Sequence, residues 1–220
     1  MKNEKDKEFA PGVLAHIYNR GNNKERIFFD SEDYKAFLYR IALALGFKQD
    51  ELKNEKLLNI PYSRIRIEHP GKNHYKVHSF CLMPNHFHLI VEQCKEESLS
   101  KFIGKISISY AMYINKKYKR VGHLLQDRFK SNLIDSNEQL MWTSAYVHMN
   151  PVKDKIVDSP EKYEWSSYKD YVEERNLPIT SKEMLISLFG DKEAFKKETL
   201  NYYSKEDYMS SRVLDIIEDI

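Results

Sequence analysis

Residues 75–93 are the stretch that most constrains the fold. Residues 75–82 (Tyr-Lys-Val-His-Ser-Phe-Cys-Leu) are a strand-like run, Met83-Pro84-Asn85 has turn chemistry, and residues 86–93 are a returning run. Two such runs across a short connection predict an antiparallel hairpin. Side chains alternate faces along a strand, so Phe87, Leu89 and Val91 project to one side and His86 and His88 to the other. The apolar triplet needs a cover, and the chain offers two helices for it. Asp30 or Ser31 can cap one, with Tyr34, Phe37, Leu38, Ile41, Ala42 and Leu45 at helical spacing. Ser98 or Ser100 can cap the other, which runs to about Lys119 with Phe102, Ile103, Ile106, Tyr110, Tyr113 and Ile114 on one face; Gly122 is expected to end it.

Further strands are expected at residues 13–19 and within 124–134, and a helix from Ser136 to Asn150, where Pro151 should stop it. The order β-α-β-β-α-β plus a helix predicts an α+β fold with an antiparallel sheet. The aromatic run Tyr163, Trp165, Tyr168 and Tyr171 should pack back on that core. Three regions fall outside this scheme: a charged tail (1–12), a polar insertion (48–73) with Arg64 and Arg66, and a helical C-terminal appendage (176–220). The main domain would then span 13–175.

Of 220 residues, 41% are hydrophobic and 31% charged, as in ordinary globular proteins. No run approaches the roughly 20 apolar residues of a membrane span, and the N-terminus lacks an apolar signal core, so a cytosolic protein with no membrane partner is expected. Cys81 and Cys94 read as reduced residues of the strand core. A net charge of +2 does not demand a nucleic-acid partner. The basic stretch Lys116-Lys117-Tyr118-Lys119-Arg120, followed by Arg128 and Lys130, fits either a nucleic-acid contact or a solvated helix end.

A His-x-His pair on a strand is a common metal half-site; two hydrogen-bonded histidines are the plainer reading. Tyr146 and Asn150 lie four apart and share one helical face. That face can bring a phenol and an amide oxygen to one small volume, the amide as a third ligand and the phenol as a nucleophile; a packed core tyrosine is the alternative. Free tyrosine titrates near pH ~10, so attack at neutral pH needs help, which a divalent ion gives by polarising a phosphate.

Met83-Pro84-Asn85-His86-Phe87-His88-Leu89-Ile90-Val91 resembles the metal-binding strand of the HUH single-tyrosine transposases, both those of small insertion sequences and the REP-associated group. His16-Ile17-Tyr18-Asn19-Arg20-Gly21-Asn22, Gln126-Asp127-Arg128-Phe129-Lys130-Ser131, Tyr146-Val147-His148-Met149-Asn150-Pro151-Val152-Lys153 and Trp165-Ser166-Ser167-Tyr168 are similar to the second group, in order, across about residues 13–171. The resemblance implies a ferredoxin-like sheet with helices packed on one face and the catalytic helix near the other. It implies Mg²⁺ or Mn²⁺ on His86, His88 and Asn150, and Tyr146 as the nucleophile. The reaction would nick single-stranded DNA and transfer the strand through a 5′-phosphotyrosine, acting as a transposase or repeat-processing enzyme. The implied partner is single-stranded DNA with hairpin or palindromic elements, bound by a monomer or homodimer. His148 stands where another tyrosine is sometimes found and points elsewhere on the helix.

Arg20, Asn22, Asn23 and Arg128 are candidate DNA contacts, because Arg and Asn read base edges and phosphates. Gly21 would permit a close backbone approach. Lys116, Lys117, Lys119 and Arg120 would add sequence-independent attraction, and Lys130 is a further candidate DNA contact. Two other functions fit parts of the pattern. A non-catalytic single-stranded nucleic-acid-binding module shares the topology, and a zinc hydrolase would recruit Cys81 to the histidines.

Overall fold

A computed structural model describes residues 10–58, 71–172 and 175–204. Its centre is a four-stranded antiparallel sheet of β1 (Leu14–Arg20), β2 (Tyr75–Met83), β3 (His86–Gln93) and β4 (Lys130–Ile134), ordered β2-β3-β1-β4. Met83 pairs with His86 across Pro84-Asn85, so the predicted hairpin forms. The turn is fastened to the segment after β1. The Pro84 carbonyl accepts Ile27 N at 2.9 Å, and the Asn85 carbonyl accepts Gly21 N at 2.7 Å.

One face carries α1 (Ser31–Ala44) and α2 (Leu99–Lys117). Asp30 caps α1 through a reciprocal box with Asp33, so both first-turn donors are satisfied locally. Ile17, Phe87, Leu89 and Val91 of the sheet bury against Phe37, Leu38 and Ile41 of α1 and Phe102, Ile103 and Ile106 of α2. Each such side chain contributes about 1.5–3 kcal/mol by leaving water, which commits the odd positions of β3 to this face.

α2 stops before the expected glycine. Lys119 takes a left-handed φ of 52°, and Arg120 N closes on the Asn115 carbonyl at 2.9 Å, a helix end that lysine supplies in place of Gly122. Of the expected strand region Lys130–Ile134 forms a strand of the sheet; residues 124–129 form a loop against the end of β1, with an isolated bridge between Leu125 and Gly21 and Gln126 N on the Arg20 carbonyl at 3.0 Å.

The opposite face holds α3 (Asn137–Lys153) over Cys81, Met83 and Ile90. Buried hydroxyls fix it: Ser144 Oγ meets Ser79 Oγ at 3.0 Å, and His148 Nε2 meets Ser167 Oγ at 2.8 Å. Pro151 does not stop this helix. It sits inside the last turn, where its ring costs one backbone bond, and the chain continues helical to Lys153 with Asp154 N on the Asn150 carbonyl at 2.9 Å. The residue before a proline is biased against helix, and burial of Val147, His148 and Met149 outweighs that bias.

The aromatic run packs back as predicted, along the exposed edge of β2. Leu82 N donates to the Trp165 carbonyl and Ser167 N to the Phe80 carbonyl, both at 2.9 Å, which covers an edge that could otherwise pair with another chain. Tyr163 and Tyr171 hydroxyls reach the Leu82 and His78 carbonyls at 2.6 Å. Then follow α4 (Tyr168–Val172), α5 (Glu183–Phe189) and α6 (Lys192–Ser204). Leu185, Phe189 and Phe195 share one buried cluster with Val147 of α3, so the C-terminal helices brace that helix. The insertion has a closed neck: Gly46 and Gly71 both have positive φ, and a Cβ on Gly46 would fall 2.6 Å from the Gly71 backbone. Arg64 and Arg66 lie outside the described residues. Among the described residues no helix is long and apolar enough to cross a membrane.

Candidate functional site

His86 and His88 project from the face of β3 toward α3, as alternation requires. Both are buried, with ring centroids 5.0 Å apart and rings nearly perpendicular. Each has its Nδ1 engaged by this chain. His86 Nδ1 donates to Asn85 Oδ1 at 2.7 Å, the Asn85 amide being held in turn on the Lys24 carbonyl. His88 Nδ1 faces His16 Nε2 of β1 at 3.0 Å. His88 Nε2 is buried and has no hydrogen-bond partner. A buried ring nitrogen without a partner calls for one that the chain does not supply, and a cation is one such partner.

α3 delivers Tyr146 and Asn150 to the same place. The Tyr146 ring stands edge-on to His88 at 5.6 Å and to His16 at 6.1 Å. Trp142, one turn earlier, stacks on Tyr146 at 5.7 Å with the planes 7° apart. Lys153 brings its ammonium 5.5 Å from the Tyr146 ring centre. Asn150 Nδ2 donates to the Tyr146 carbonyl at 2.9 Å, and the Asn150 side chain also hydrogen-bonds His86. One helical face and two sheet positions thus converge within a single chain.

Burial sets the protonation of the imidazoles. Desolvation lowers His86 to about 4; the Asn150 hydrogen bond works against it and the Arg20 charge with it. His88 falls well below its ordinary value, by burial first and then by the charges of His86, His16 and Lys153. His16 is lowered to about 3 by burial. At neutral pH all three rings are uncharged, and a neutral imidazole is the form that ligates cations. Among the described residues no group of three His, Cys, Asp or Glu side chains could hold a metal. Any ion here would rest on two imidazoles and an amide oxygen, leaving positions open for water and phosphate. Cys81 pairs with His88 across the hairpin, but burial pushes its thiol up and Sγ contacts Met83 Sδ, so it stays a core thiol.

The other candidates divide. Arg20, Arg128 and Lys130 line one concavity with Tyr18, Asn19, Gln126 and Asp127, beside His86, because Arg20 is the register partner of His86. Arg20 Nε donates to Gln126 Oε1. Asn22 and Asn23 are exposed in a 3-10 turn (Asn22–Lys24), Asn23 at a left-handed φ of 54°. Gly21 spends its freedom on the chain itself: a Cβ there would fall 2.0 Å from the Glu25 carbonyl oxygen. Lys116 and Lys117 end α2 on the far face of the sheet. Lys116 is exposed, whereas Lys117 is held by Asp30 at 2.7 Å and Asp33 at 2.8 Å. His16, Asn85, Trp142, Gln126 and Lys153 belong to the site and were not singled out from sequence. His16 and Tyr18 alternate in β1 as His86 and His88 do in β3, which was the available signal.

Comparison with known proteins agrees with this architecture. The sequence profile of the IS200-like transposases matches residues 15–150. A comparison with curated proteins finds no match. Among solved structures, the fold is similar to a REP-associated tyrosine transposase bound to a REP hairpin, with a TM-score of 0.52 and 14% identity over 79% of this chain and 93% of that one. The profile match spans more than half of the chain, and on it the protein belongs to the IS200-like family of HUH single-tyrosine transposases.

Proposed function

We propose that this protein nicks single-stranded DNA and transfers the strand, with Tyr146 as nucleophile and His86, His88 and Asn150 as ligands of Mg²⁺ or Mn²⁺. The observation that carries this is the meeting of Tyr146 with the His pair: the phenol ring lies 5.6 Å from His88, whose Nε2 has no other partner. The donor set fits a divalent ion, since burial keeps both imidazoles neutral and the Asn150 side chain, which carries an amide oxygen, lies against His86. When bound, such an ion would polarise the scissile phosphate and offset charge on its oxygens.

The chain's own groups do the rest. Tyr146 Oη attacks phosphorus and the bond to the 3′ oxygen breaks, giving a 5′-phosphotyrosine and a free 3′-hydroxyl; the phenol proton leaves and the 3′ oxygen gains one. Attack by a 3′-hydroxyl on that phosphotyrosine reverses the bonds and joins strands without ATP, because one phosphodiester is exchanged for another. Lys153 favours negative charge on the phenol oxygen and the transferred phosphate. Arg20, Arg128 and Lys130 hold the flanking nucleotides, with Asn22 and Asn23 at the rim and Lys116 adding long-range attraction. A DNA hairpin is the proposed partner because the similar solved transposase is bound to one. All four central side chains come from one chain, which favours a site complete in a single copy.

The test is incubation with end-labelled single-stranded hairpin oligonucleotides and Mn²⁺. A denaturant-resistant protein–DNA adduct is expected, lost with chelator and lost in Tyr146→Phe. Binding with no adduct under any metal would mean a non-catalytic nucleic-acid-binding module instead.

A further inference from the structure

His16 is buried, faces the site from β1, and has no part in the chemistry above. Its Nε2 lies 3.0 Å from His88 Nδ1, with the two rings stacked at 5.2 Å and 17°. Tyr18 at 5.1 Å and Tyr146 at 6.1 Å confine it on other sides. With both rings neutral, the contact holds a single proton, and that proton can sit in two ways. If His16 Nε2 carries it, His88 Nδ1 is the acceptor and His88 must be protonated on Nε2, which then has no lone pair to give. If His88 Nδ1 carries it, His16 accepts and His88 Nε2 is a free donor. His88 Nε2 and His16 Nδ1 are both buried without partners, so each arrangement leaves one N–H and one lone pair unmatched. Within the pair alone nothing separates them, and a cation at His88 Nε2 selects the second.

We infer that His16 is a positioning residue: it accepts the Nδ1–H of His88 and so holds that ring in the tautomer and orientation that present Nε2 to a cation. The inference rests on reading His88 as a metal ligand. His86 is handled in parallel, its Nδ1–H being accepted by Asn85 Oδ1. Ligand imidazoles usually give this proton to a carboxylate, carbonyl or water, and loss of such a partner weakens metal binding by about 10–100-fold. A neutral imidazole in that place orients His88 without adding negative charge beside the ion.

The probe is Mn²⁺ alone, titrated without DNA and followed by electron paramagnetic resonance. His16→Leu removes the acceptor, whereas His16→Gln can present an amide oxygen near the former Nε2. Leu should weaken Mn²⁺ affinity about 10–100-fold, and Gln should recover most of the loss. In the Mg²⁺-saturated native protein, long-range ¹⁵N–¹H spectra should find the His88 proton on Nδ1, a reading that needs no variant to fold. Unchanged affinity in His16→Leu, no recovery in His16→Gln, or a His88 proton on Nε2 with Mg²⁺ bound would each overturn the role of His16 while leaving the metal site standing. A native protein that binds no Mn²⁺ would remove the metal site and this role together.

Discussion

Asn150 does two things with one amide: Nδ2 ties it to the Tyr146 carbonyl, and the side chain also hydrogen-bonds His86. Asn150→Ala should therefore lower Mn²⁺ affinity and adduct yield by on the order of tenfold or more. A thermal unfolding curve close to native would separate that loss from misfolding. Lys153 is exposed, so Lys153→Gln should leave stability unchanged. It should slow adduct formation a few-fold, the worth of one cation near a ring; an unaltered rate would show that the charge plays no part. At this scale the sequence was legible where a residue's role follows from its own strand or helix. Alternation placed His86 and His88, and helical spacing placed Tyr146 beside Asn150. It was not legible where the partner is remote in sequence. Nothing near Lys117 announced Asp30 and Asp33, and nothing near His88 announced His16, because helix packing decides the first neighbourhood and strand order the second.

α3 is the element on which the site depends, and it is held at several points. Ser136 caps it by accepting Gln139 N at 3.1 Å, so Ser136→Ala should cost about 1 kcal/mol in chemical denaturation. His148, on the side of α3 away from Tyr146, packs edge-on against Phe195 at 5.7 Å, and Phe195 stacks on Tyr171 at 4.4 Å. The segment leading into those helices is pinned by Asp170, which receives Arg175 Nε at 2.8 Å, Arg175 Nη2 and Thr180 Oγ1 at 3.0 Å, and Leu177 N at 3.1 Å. Arg175 would keep the Glu164 and Ser166 carbonyls, but removing the carboxylate takes away its buried ion pair and the acceptor of Leu177 N and Thr180 Oγ1, so Asp170→Ala should cost on the order of 3 kcal/mol. A denaturation midpoint matching the native one would show that these helices do not brace the fold. The helix ends were the least legible part: Pro151 and Gly122 both read as stops, and burial around Val147 and a left-handed Lys119 overrode them.

Among the described residues, α1 and α2 lie on one face of the sheet and α3, which carries the candidate site residues, on the other, and the β-α-β-β-α-β order carried most of that layout. The sequence could not show that residues 175–204 join the core of α3, since short amphipathic helices do not name the surface they cover. Four neutral buried imidazoles have a collective consequence. His16 and His148 lie at about 3, His86 at about 4, and His88 well below its ordinary value, each because burial penalises the charged ring. The unfolded chain takes up these protons near pH ~6.5, so below that pH it binds more protons than the fold. Stability should be flat above pH ~7 and fall from about 6.5 toward 4, by up to about 1.4 kcal/mol per pH unit for each imidazole. Calorimetry of the metal-free protein checks this, and an unchanged Tm between pH 6.5 and 5 would contradict it. The central claim is that one particular phenol attacks DNA, and Tyr18, whose ring lies 6.2 Å from His88, is the natural rival. Mass-spectrometric mapping of the nucleotide left on the protein after nuclease and protease digestion decides between them: the account predicts phosphate on Tyr146 alone, and a nucleotide on Tyr18 or on any other residue would contradict it.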